Sequence, residues 1–158
     1  MSWLTMSRWE LPLRLVTGGF LLSSGLQKRN MPAEAAEGLH GFAQTAELPA
    51  IDQVESTTFA RLLSAGETGL GAALLAPFVP RRVAGLGLTA FAGGLMRLYW
   101  KAPGMRQEGD VRPTEEGTGL AKDLWMLGIG VSLLAATEGR KTWSARALQR
   151  KKGRRKRR

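Results

Sequence analysis

The sequence predicts an all-α integral membrane four-helix bundle with its N- and C-termini in the cytoplasm. Three observations predict it. Four apolar stretches of 17 or 18 residues recur along the chain, at 11–27, 62–79, 83–100 and 120–137, close to the 17–25 residues a membrane helix needs. Two of them hold long runs without any charge, Val83 to Met96 and Leu124 to Thr137, whereas a soluble bundle shows a polar face on every helix. The connecting segments alternate in charge. With the N-terminus inside, the loops facing out carry two basic and five acidic residues (28–60) and four basic and five acidic residues (101–123). The segments facing in are all net positive, as the positive-inside rule requires.

Composition sets the outer bounds. The 158 residues suit one domain. The formal charge of +10 resides in the segment after Thr137, which has eleven Lys or Arg and one acid; residues 1–137 are neutral overall. There is no cysteine and a single histidine, so thiol chemistry and cysteine metal sites are excluded and a metal centre is not expected.

The first span, LPLRLVTGGFLLSSGLQ, is interrupted by Arg14. A cleaved signal peptide is the alternative reading, but no small-x-small pair precedes a mature start. The outer loop, residues 28–61, contains GLHGFAQ, in which Leu39, Phe42, Ala43 and Ala46 share a helical face and predict a short helix on the membrane surface. His40 lies there and is read as structural. The second span carries Glu67 as its one charge, and the third carries Arg97. The fourth begins with Lys122 and Asp123. Small residues recur every four positions at Ala65, Gly69 and Ala73, and at Gly85, Thr89 and Gly93, and predict helix-packing seams. GETGLG lies within a helix, without the preceding strand of a phosphate loop. Trp3, Trp9, Tyr99, Trp100 and Trp125 fall near span ends, as interfacial aromatics do. Residues 138–158 form a basic cytoplasmic tail. In it Arg150, Lys151, Lys152, Arg154 and Arg155 are placed to contact lipid headgroups rather than nucleic acid.

Five charges collect at one level. The topology puts Lys28, Glu67, Arg97, Lys122 and Asp123 in the outer half of the membrane and none in the inner half. A charge within a span costs free energy and usually faces the bundle interior with a partner. Ser64, Glu67 and Gly71 share one face of the second span, and Ala90, Gly93, Gly94 and Arg97 share one of the third. Glu67 is therefore expected to pair with Arg97 or Lys122, either as a structural lock or as a pocket for a quinone, lipid or anion. Trp100 or Trp125 would be available for stacking.

The order GGFLLSSGLQK, GLHGFAQTAELPA, GETGLGAALLAPFVPRR and AKDLWMLGIGVSLL resembles that of DoxX-like membrane proteins, from about Arg14 to Ala136. The resemblance implies a small four-helix protein of the bacterial inner membrane. The family includes a subunit of thiosulfate:quinone oxidoreductase, and its members are associated with redox or oxidative-stress complexes. The basic tail lies outside the family pattern. The expectation is a subunit or scaffold of a membrane redox complex, with membrane lipids and redox enzyme subunits as partners and no cofactor evident beyond a quinone. The alternative is a small proton- or solute-translocating protein using Glu67 and Arg97. An autonomous enzyme is disfavoured, because no nucleophile–base pair or metal cluster is legible.

Overall fold

A computed structural model describes residues 7–136. Trp3 and the tail, with Arg150, Lys151, Lys152, Arg154 and Arg155, lie outside the described residues. Within them every regular element is a helix.

Helix α1 spans Glu10–Lys28, with an acid in its first turn and a base in its last, both favourable to the helix dipole. Pro32, which cannot continue a helix, precedes α2 (Ala33–Gln44), the expected short helix of the loop. A single turn, α3 (Pro49–Asp52), follows. Helix α4 runs Ser56–Leu75. It starts earlier than the predicted second span and stops four residues short of Val79, because Pro77 denies the chain a donor and forces the residue before it out of helical geometry. Pro80 then sets up α5 (Arg81–Lys101). The fourth apolar stretch is two helices, α6 (Thr118–Lys122) and α7 (Leu124–Ala135), which meet at Asp123.

The four long segments pack as two antiparallel pairs, α1 on α4 and α5 on α7. Close backbone approach makes the first pair. A methyl group on Gly71 would come within 2.5 Å of the Leu22 nitrogen and 2.8 Å of the Gly18 oxygen, and one on Gly25 would strike Thr68. The α4 seam thus runs through Ser64, Thr68 and Gly71, not through Ala65 and Gly69, which are exposed. In α5 the expected seam holds for Gly85, against Leu133, and for Thr89, against Gly130; a methyl on Gly93 would meet nothing. The core between the pairs consists of Leu21, Leu74, Leu88, Met126 and Leu133, with small residues of α5.

Around this apolar core the fold also buries polar side chains and exposes large apolar ones, a combination informative about a protein's surroundings. Glu10, Arg14, Thr17, Ser64 and Glu67 are buried, while Leu15, Val16, Phe20, Leu62, Leu86 and Leu124 are at least half exposed; Arg14 is 0% and Val16 65% accessible. Among the described residues one helical stretch, Thr118–Ala135, is long and apolar enough by composition to cross a membrane. Helices α1, α4 and α5 match it in length, about 30 Å at 1.5 Å per residue. The charged and hydroxylic side chains that dilute the hydropathy of α1 and α4 include those turned inward.

Candidate functional site

Helix α4 turns Ser64, Glu67 and Gly71 to its buried face, as their spacing predicts. The basic partner of Glu67 is Lys28, however, and not Arg97 or Lys122. Lys28 Nζ lies 2.9 Å from Glu67 Oε2 and donates also to Ser24 Oγ at 2.6 Å. The cause is the glycine seam. With Gly25 against Ser64 and Thr68, the last turn of α1 arrives beside Glu67, and Ser64 Oγ donates to the Gly25 carbonyl at 2.7 Å. Asp123, half-buried at the α6–α7 joint, lies within electrostatic reach of Glu67. Lys28 and Glu67 thus form an ion pair between α1 and α4, with Asp123 of the α6–α7 joint near enough to Glu67 to feel its charge.

The other two predicted members lie elsewhere. Arg97 is exposed and donates from Nε to the Ala46 carbonyl at 2.6 Å, just past the C-terminus of α2. Long and placed near the end of α5, it reaches carbonyls that no helix satisfies. Lys122 is exposed and makes no ion pair among the described residues. Nor do the tryptophans gather at the site. Trp100 is covered by the Arg106 guanidinium, 4.2 Å above its ring, a cation–π contact. Trp125 meets Phe20 edge-on at 6.1 Å. His40 bonds the Ile51 carbonyl at 2.9 Å and tilts against Phe59. Among the described residues no group of three or more His, Asp or Glu could hold a metal ion.

A second polar centre occupies the opposite end of the helices, built on the Arg14 that interrupts the first span. Arg14 is fully buried and donates to four carbonyls at the end of α4 and just beyond it: Leu74 (2.8 Å), Ala73 (3.0 Å), Ala76 (3.0 Å) and Val79 (3.1 Å). Glu10 lies one turn before it, 3.7 Å from Arg14 and 3.9 Å from Arg81. The sequence signal was Glu10 and Arg14 at i,i+4 spacing, ahead of a helix end whose carbonyls Pro77 leaves free.

The Lys28–Glu67 pair carries a direct expectation. Lys28→Met leaves a 6% exposed carboxylate without its cation and should destabilise the protein by about 2 kcal/mol in denaturant titrations in detergent. Lys28→Met combined with Glu67→Leu should recover most of that loss. A double variant as unstable as the sum of its singles would show that the two side chains act independently.

No family model matches the sequence, and neither a curated protein nor a solved structure matches it significantly.

Proposed function

We propose that the chain is an integral membrane four-helix bundle of the DoxX-like kind with both termini in the cytoplasm. Its role is that of a subunit or scaffold of a membrane redox complex. The observation that carries the membrane reading is the burial of Glu10, Arg14 and Glu67 on helices that expose Leu15, Val16, Phe20 and Leu62. Lipid tails solvate such a surface, whereas water penalises it by roughly 25 cal/mol per Å² of apolar area. The positive-inside distribution of loop charges points the same way.

In this reading the group Lys28, Glu67 and Asp123 lies in the outer half of the membrane and is the place for a polar head group arriving from the lipid phase. Lys28 can donate to a carbonyl oxygen and Asp123 can accept from a hydroxyl. A quinone offers that pair of functions, and so, in part, does a lipid head. The translocation alternative rests on Glu67 and Arg97 acting together, yet their side chains engage different partners.

Two measurements test the proposal. After alkaline carbonate extraction the chain should remain in the membrane pellet; release into the supernatant overturns the membrane reading. Affinity purification in mild detergent, with identification of co-purifying proteins, should recover an oxidoreductase subunit. Recovery of the chain without one overturns the scaffold reading while leaving the fold untouched.

A further inference from the structure

The segment between α1 and α4 is fastened to the bundle in an unusual way. Its buried residues are alanines, Ala36, Ala43 and Ala46, which bring little apolar area to the contact. His40 and Phe59 add one ring contact at 5.2 Å. Leu39, Phe42, Ile51 and Val54 are only half-buried, and α2 packs chiefly on α4; the polar part of the fastening comes from the last turns of α5. Arg97 donates to the carbonyls of Ala46 at 2.6 Å and Glu47 at 3.4 Å, and Lys101 Nζ lies 2.6 Å from Glu47 Oε2. Both cations are reached across more than fifty residues of sequence, so the corner after α2 is tied to a helix that is not its chain neighbour.

Glu47 itself has φ +53, the single positive value among the described non-glycine residues. Left-handed backbone is unfavourable for a residue with a Cβ, and strain of this kind persists only where surrounding contacts impose it. Glycine would relax the corner but would remove the carboxylate that Lys101 holds. The bond from Lys101 keeps the Glu47 carboxyl ionised to lower pH than an ordinary glutamate, with Arg97 adding a weaker attraction. The ion pair is nonetheless open to solvent, with side-chain exposures of 40% and 65%, and such pairs hold weakly.

We propose that the α2–α3 segment is a releasable strap, latched over the outer turns of α4 and α5 by Arg97 and Lys101 gripping the strained corner at Ala46 and Glu47. Small buried residues, an exposed ion pair and a strained backbone make the closed and open states close in free energy. Residues 29–32 and 53–55, which flank the strap outside any helix, are its hinges. Opening bares the buried faces of Ala36, Ala43 and Ala46 and the first turns of α4, the helix that carries Glu67.

The cysteine-free chain makes the test direct. Ala46→Cys, 1% exposed at that position, is introduced into the full-length protein, and its reaction with a bulky maleimide is timed in detergent. Adding Lys101→Gln should speed labelling about 3-fold, and adding Arg97→Gln about 10-fold, since charged hydrogen bonds are the stronger contacts. A cysteine at Ala92, which is 0% exposed in the core, should stay unlabelled in all backgrounds. If the Ala92 cysteine also becomes reactive, the latch variants have opened the whole bundle and the strap does not move as a separate unit. Ala46→Cys alone supplies an arm with the latch intact: raising salt to about 1 M shortens electrostatic reach to roughly 3 Å and should accelerate its labelling. Labelling at the Ala46 cysteine that is indifferent to salt and to both substitutions overturns the proposal.

Discussion

Arg14→Ala should produce the largest loss of stability of any single substitution in this protein, a fall in unfolding midpoint of about 6–20 °C. Arg14 directs its guanidinium at the carbonyls of Ala73, Leu74, Ala76 and Val79, where α4 ends. The last carbonyls of a helix have no partners within it, and here Pro77 prevents the chain from continuing to supply them. Alanine removes the Arg14 donor from all four carbonyls, of which Ala76 keeps the Val79 N–H at 3.3 Å, and leaves Glu10, 1% exposed, with Arg81 at 3.9 Å as its remaining cation. Breaking a buried charged network of this kind costs about 3–5 kcal/mol, and 1 kcal/mol corresponds to roughly 2–4 °C at this chain length. Arg14→Lys should recover only part of the loss, since an ammonium has three donors and no planar fork. Glu10→Gln should be far milder, because neither Glu10 oxygen accepts a hydrogen bond. Thermal unfolding of detergent-purified variants, followed by circular dichroism, gives the order. An Arg14→Ala protein that melts within about 2 °C of the parent would show that the end of α4 holds without this side chain.

Those two polar centres differ in how far the sequence revealed them. Glu67 was legible as an inward-facing residue because Ser64 and Gly71 place small side chains on its face, and a small face is where another helix can approach. Its partner was not legible. Three cations stood at similar depth, and the choice among Lys28, Arg97 and Lys122 depends on which helix lies beside α4. That choice is made by Gly18 and Gly25 of α1, whose seven-residue spacing matches the α4 face bearing Ser64, Thr68 and Gly71. Arg14 was visible as an interruption of a span, but its role depends on where α4 ends, and the predicted second span ran past that end to Val79. The short helix in the loop followed from the apolar spacing of Leu39, Phe42, Ala43 and Ala46. The latch on it did not, since Arg97 and Lys101 reach it through side chains attached far along the sequence. A hydropathy average is blind to direction for a related reason: over α1 it counts Arg14 and Val16 alike, although one is buried and the other is exposed.

The glycine seam yields the second large expectation. Gly71→Ala should lower the unfolding midpoint, by about 1–3 kcal/mol in stability, although alanine is the better helix former by about 1 kcal/mol. The added methyl would stand 2.5 Å from the Leu22 nitrogen and 2.8 Å from the Gly18 oxygen, both backbone atoms that no rotamer change can move away. Relief requires α1 and α4 to separate, which lengthens the Ser64–Gly25 hydrogen bond and pulls Lys28 from Glu67. Gly69→Ala, two residues earlier on the same helix, is the matched control. Its methyl meets nothing within 4 Å, so the substitution should be neutral or raise the midpoint. The comparison separates two stripes of small residues that sequence periodicity cannot tell apart, Ser64–Thr68–Gly71 and Ala65–Gly69–Ala73. Accessibility of Glu67 provides a second readout, because separation of α1 from α4 exposes its carboxylate to hydrophobic carbodiimide. Carbodiimide modification should rise in Gly71→Ala and stay at the parent level in Gly69→Ala. Equal effects of the two substitutions, in either measurement, would mean that α1 does not pack on the Gly71 face of α4, and the Lys28–Glu67 pair would lose its structural basis with it.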